Sequence, residues 1–194
     1  MAHRTVRGMI TLLACCSIAA MASAQTANPW YGRMAKPKDF DPPKTFANTF
    51  SIELPKDWQL VPGHTGTVFL AAEKTKRYDS GAAIALEYMS LQGAFDASII
   101  DALAPLELKD VQARELSGSS FTQQVVKQEG RPIIIIQYDR PSLSGAKDHV
   151  VQYSIPAGTT MYHLICIAPG DELPKWRPVF AHVAATFTPA KAGS

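Results

Sequence analysis

The segment Ile133-Ile134-Ile135-Ile136, inside "GRPIIIIQYDRP" (130–141), constrains the fold more than any other stretch. Successive strand residues point to opposite faces of a sheet, so four isoleucines in a row put apolar side chains on both. "MYHLICIAP" (161–169) repeats the pattern. An antiparallel sheet with one wet face would alternate instead. Both segments are therefore read as central strands with both faces dry, and something must cover each face.

Two helical stretches are available as cover. Asp96 is an expected N-cap, followed by Ile99, Ile100, Leu103, Leu106, Val111 and Leu116 at roughly helical spacing. Pro105 is expected to kink or split this helix, and Gly118 to end it. Leu173, Trp176, Phe180, Val183 and Phe187 form a second stripe, with Pro174 and Pro178 early in it. The strands read as Phe50–Leu54, "WQLV", "TVFLAAE", "AAIALEYMSL", then one hairpin around Glu129-Gly130-Arg131 and another around Pro156-Ala157-Gly158-Thr159. Hairpin connections make the sheet largely antiparallel. The expected fold class is α+β, a three-layer α/β/α sandwich.

The N-terminus bears on location. Arg4 and Arg7 precede an apolar run, Met9 to Met21, and Ala22-Ser23-Ala24 offers an A-x-A cleavage pattern before Gln25. The run falls short of the roughly 20 residues that span a bilayer. Residues 1–24 read as a signal peptide, and the mature chain as periplasmic or secreted. The alternative is a lipoprotein anchored through Cys15, on the lipobox-like Leu12-Leu13-Ala14-Cys15. Cleavage before Gln25 removes Arg4 and Arg7, so Lys+Arg falls from 19 to 17 against 17 Asp+Glu. A chain near zero charge, without a basic patch or recognition motif, gives no case for nucleic-acid binding. Residues 25–45 read as a proline-rich linker, 46–188 as one domain and 189–194 as a tail.

The ordered features "FSIELPKDW", a β-meander, a helix, "GRPIIIIQYDRP", "MYHLICIAP" and "WRPVFAHVAATF" resemble the PsbP-like family over about residues 46–188. Its members include a thylakoid-lumen photosystem II subunit, a yeast Ran-binding factor and many exported bacterial proteins. The family often has Gly-Trp after the first strand's proline, where this chain has Asp57-Trp58. The resemblance implies an α/β/α sandwich with a non-enzymatic assembly or binding role. It implies no catalytic residues, and an exported chain cannot be the nuclear Ran-binding member.

Motifs for enzymatic chemistry are absent from the sequence: no G-x-S-x-G, H-E-x-x-H, phosphate loop or C-x-x-C occurs. No cofactor is expected. One weak catalytic pair remains. If Ala157-Gly158 is the turn of the second hairpin, His149 faces Cys166 and Gln152 faces His163; a Cys–His pair is the minimum for a thiolate nucleophile. A buried, inert cysteine is the ordinary reading of "LICIA". Asp139, Asp148 and His149 suggest a cation site, set against a polar loop between strands. "KTKRYD" (74–79) is a basic, aromatic loop suited to an acidic partner or lipid head groups, set against a solvated turn. The leading expectation is an exported, non-catalytic module that binds an envelope partner protein. The alternatives are a periplasmic small-molecule or lipid-binding protein, and a cysteine-dependent enzyme using Cys166.

Overall fold

The isoleucine strand lies where its composition requires, inside a seven-stranded antiparallel sheet. The computed structural model describes residues 39–46, 49–61, 66–74, 81–128, 130–142 and 145–189. The elements are β1 (Lys44–Phe46), β2 (Phe50–Ile52), β3 (Trp58–Val61), β4 (Thr67–Glu73), β5 (Ala83–Ser90), α1 (Ile100–Arg114), β6 (Ser119–Gln128), β7 (Arg131–Pro141), β8 (Lys147–Ala157), β9 (Thr160–Pro169), α2 (Leu173–Thr186) and β10 (Thr188–Pro189). The main sheet runs β3-β4-β5-β9-β8-β7-β6, and β1-β2-β10 form a small second sheet. The segment 1–24 read as a signal peptide, Cys15, Trp30, Tyr31, His64 and nearly all of the 74–79 loop lie outside the described residues.

All four isoleucines are fully buried, and they enter two cores. Ile133 and Ile135 join Phe50, Leu86, Tyr153, Cys166, Phe180 and Phe187 on the side of α2. Ile134 and Ile136 join Ile100, Val111, Tyr138 and Ile165 on the side of α1. One helix covers each face, and the small sheet shares the α2 side through Phe50 and Ile52. Trp176, Phe180, Val183 and Phe187 bury the stripe that their spacing indicates.

Prolines end the β7–β8 ladder. Its last pair on that side is Ile134↔Ser154, so Pro132 and Pro156 fall just past it, where neither strand needs an N–H.

Four details differ from the sequence reading. α1 runs unbroken through Pro105, which sits early enough that only a bond to the first turn is lost. The buried stripe of α1 is Ile100, Ala104, Glu107 and Val111, while Leu106 is 59% and Leu116 88% exposed. Residues 39–45, placed by sequence at the end of a linker, pack on the domain. Phe40 is buried, bridges Pro55 and stacks on His182 at 3.9 Å, and β1 starts at Lys44. The β8–β9 turn is Gly158-Thr159, because Ala157 pairs with Thr160. Gly158 has φ +59, so the glycine takes the first turn position, where positive φ is needed.

Candidate functional site

Moving the turn by one residue shifts every β8–β9 pair by two. Cys166 faces Val151 and His149 faces Ala168, so the expected direct pairing of His149 with Cys166 does not form. Parity keeps both side chains on the α2 face, but Cys166 is fully buried among apolar groups. Burial pushes its thiol well above the ordinary value, the reverse of what a thiolate nucleophile needs. His149 is engaged elsewhere: its Nδ1 lies 2.5 Å from Asp139 Oδ1.

The proposed cation ligands are divided by the pleat. Asp139 and His149 sit opposite each other on one face, and Lys147 Nζ reaches Asp139 at 3.4 Å. Asp148, one residue away, points to the other face opposite Arg140. Burial raises the Asp148 carboxyl, against the pull of Arg140 and His149. Among the described residues no three His, Cys, Asp or Glu side chains converge as metal ligands. Arg140 instead pairs with Glu115 at 3.0 Å, and the Tyr138 hydroxyl donates to the same carboxylate at 3.1 Å. Burial, with Glu115 alongside, pushes the Tyr138 phenol far up. Two depressions meet at Asp139. One, of about 310 Å³, is lined by residues including Ser119, Arg140 and Lys147; the other, of about 190 Å³, by residues including Thr122, Gln137 and His149. Both lie at the Asp139 end of the sheet, and the second also touches Leu173 at the start of α2.

The sequence reading missed a buried polar cluster beneath α1. Glu107, Gln152, Ser154 and His163 are all buried. Ser154 lies directly across from His163 on adjacent strands, and Glu107 descends on them from the helix. The Ser154 hydroxyl donates to Glu107 Oε2 at 3.1 Å. Gln152 Nε2 lies 3.1 Å from both Ser154 Oγ and His163 Nδ1. Burial, reinforced by Arg114, lowers the His163 pKa to about 4, so at neutral pH the ring is uncharged. Nδ1 then accepts from Gln152. Burial also raises the Glu107 carboxyl, opposed by the Ser154 hydrogen bond. Ser, His and Glu together suggest a catalytic triad, but the geometry is wrong for one. Ser154 and Glu107 both approach Nδ1, at 3.1 and 3.6 Å, whereas a triad needs serine and acid on opposite ring nitrogens. The serine is also sealed from solvent. Two signals were in the sequence: the polar residues Gln152, Ser154 and His163 interrupting apolar strands, and a glutamate at the i+7 position from Ile100.

A second buried histidine, His182 on α2, places Nε2 2.7 Å from Glu53 Oε2 and carries the Phe40 ring. This clamp ties the N-terminal segment to α2. The site inventory thus contains sealed polar clusters and paired surface charges.

An antiparallel sheet held between one helix and a helix-plus-small-sheet layer defines the PsbP-like fold. Three solved structures share it. PsbP from Synechocystis sp. PCC 6803 (CyanoP) superposes with a TM-score of 0.59 at 10% identity, over 76% of this chain and 91% of that one. LpqN, described as involved in cell envelope biogenesis of Mycobacterium tuberculosis, gives 0.54 at 16% identity over 77% and 90%. The Saccharomyces cerevisiae Ran-binding protein Mog1p gives 0.50 at 9% identity over 75% and 94%. No protein-family model matches the sequence, and a search of curated proteins finds no match. Among the described residues no helix is long and apolar enough to cross a membrane.

Proposed function

We propose that this chain is an exported, non-catalytic binding module that docks a partner protein in the cell envelope. The shared fold carries the reading: Mog1p is named for binding Ran and LpqN for a role in envelope biogenesis. Export rests on Arg4, Arg7, the apolar run and the Ala22-Ser23-Ala24 pattern. The chemistry of the described residues agrees, since the Ser–His–Glu cluster is closed to substrate and the Cys166 thiol is buried. Exposed apolar side chains such as Tyr88, Met89 and Leu106 are suited to a protein contact.

The test has two parts. Mass spectrometry of the processed chain is expected to begin at Gln25; an acylated Cys15 would replace free export with lipoprotein anchoring. A photo-crosslinking residue placed at Tyr88 or Leu106 in living cells is expected to yield one discrete envelope-protein adduct. Absence of adducts, together with a turnover activity abolished by Cys166→Ala in folded protein, would overturn the reading in favour of the cysteine-dependent enzyme.

A further inference from the structure

The main sheet ends very differently on its two sides. β3 closes one edge with four residues, whereas β6 closes the other with ten, Ser119–Gln128. β6 pairs only with β7, in the register Gln128↔Arg131, Val126↔Ile133 and Gln124↔Ile135. The residues flanking a two-residue hairpin turn exchange both backbone bonds, and such pairs recur at every second residue. The even-numbered residues of β6 therefore bond to β7. Gln123, Val125 and Lys127 direct their N–H and C=O groups outward. Pro132, opposite Lys127, fits this parity because it has no N–H to give. No backbone group among the described residues bonds to that outer edge. Long edges with few charges and no proline are templates for another strand. Here Lys127 is the single charge within the strand, and the distortion lies at one end, where the register shifts between Ser119 and Thr122 and Ser120 has φ +56.

We propose that β6 is a self-association edge, pairing antiparallel with β6 of a second copy of this chain about a two-fold axis through Val125. This interface is independent of the envelope partner proposed above. Outward groups must oppose outward groups, so odd residues face odd residues and their numbers add to a constant. Centring on Lys127 would oppose two ammonium groups. Centring on Gln123 would run the ladder into the Ser120 distortion. Axes through Gln124 or Val126 also oppose odd residues but overlap only five residues of the regular stretch 122–128, whereas an axis through Val125 avoids both problems and overlaps all seven. Val125 then faces Val125 of the second copy, Gln123 faces Lys127, Gln124 faces Val126 and Thr122 faces Gln128. No like charges meet, and β-branched residues sit at and beside the axis. A foreign strand could use the same hydrogen bonds, but the self-complementary side-chain order selects the identical strand.

Light scattering on the purified protein across a wide concentration range tests this. The wild-type chain is expected to form a dimer. Val125 is half-buried beside the α1-side core, so the fold of Val125→Lys and Val125→Glu is checked first by circular dichroism; folded, each alone is expected to weaken dimerisation roughly tenfold by opposing like charges on the axis. An equimolar mixture of the two is expected to restore the dimer, because only a self-opposed position converts two repulsions into one attraction. Lys127→Pro supplies a second variant at an exposed site, removing an outward N–H without touching the β7 ladder; it is expected to be a folded monomer by circular dichroism. A wild-type chain that stays monomeric at millimolar concentration overturns the proposal. So does a dimer that survives Val125→Lys and Lys127→Pro, which would place the interface elsewhere.

Discussion

The two faces of the sheet are covered by helices of similar length, yet they are held by different chemistry. On the α2 face, Phe46, Phe50, Phe69, Tyr162 and Phe187 form a continuous aromatic cluster with neighbouring ring centroids 5.0–6.4 Å apart. α2 itself buries Trp176, Phe180, Ala181, Val183 and Ala184. On the α1 face the helix contributes Ile100, Ala104 and Val111, and at the centre of its footprint places Glu107 over Ser154 and His163. Gln123 donates to the Ala104 carbonyl, and Arg114 reaches Glu87 at 3.9 Å. Apolar burial stabilises without regard to geometry. A buried polar cluster stabilises only while each member keeps its partner and its charge state. α2 is therefore held mainly by apolar area, whereas α1 adds a buried hydrogen-bonded cluster to a smaller apolar stripe.

The largest expected effect would break the claim that both faces are dry. Single replacement of Ile133, Ile134, Ile135 or Ile136 by alanine is expected to cost about 2–5 kcal/mol each in urea unfolding. A pattern in which only Ile133 and Ile135 matter would mean that α1 does not seal its face.

Next comes the pH response of the α1 face. His163 falls from 6.5 to about 4 on folding, so the unfolded chain takes the proton first as pH drops. The stability from its neutral form is complete above pH 6.5 and is lost as pH falls towards about 4, amounting to about 3 kcal/mol in full. The raised Glu107 carboxyl acts in the opposite sense, since its penalty is relieved as it protonates. Comparing wild type with His163→Gln isolates the histidine. Between pH 6.5 and 4 the wild type is expected to lose more stability than the variant, and equal slopes would remove the cluster from the account.

Glu107→Ala leaves the Ser154 hydroxyl buried without its acceptor and is expected to cost about 1–3 kcal/mol at neutral pH. Ser154→Ala together with Glu107→Leu should recover part of that loss, because removing both partners removes the unmet demand. The smallest effect lies on the α2 face: Cys166→Ala is expected to fold and to cost about 1–2 kcal/mol. Rapid labelling of the native thiol by a bulky reagent would contradict its burial.

The apolar architecture was legible in the sequence because it rests on period. The isoleucine run, "LICIA" and the Trp176–Phe187 stripe each lie as their spacing indicates. The polar cluster was not legible for a matching reason. Glu107 falls in the buried stripe of α1, but a glutamate reads as solvent-facing unless its donors are known. Those donors depend on strand register. One choice of turn residue set His163 directly opposite Gln152, where Ile165 stands and His163 is a diagonal neighbour that Gln152 still hydrogen-bonds, and set His149 against Cys166. A shift of two preserves which face a side chain occupies and loses which neighbour it meets. Faces could be read from the sequence, whereas partners could not. Phe40 was missed because an isolated aromatic between prolines carries no period.

Native-state hydrogen exchange tests the contrast between the faces most directly. α1 relies on few apolar groups and one hydrogen-bonded cluster, so its amides over 100–114 are expected to exchange through a partial opening of lower free energy than global unfolding. Those of α2 over 173–186 are expected to exchange only with the whole sheet. Equal protection of the two helices, or an α2 that opens first, would contradict the account.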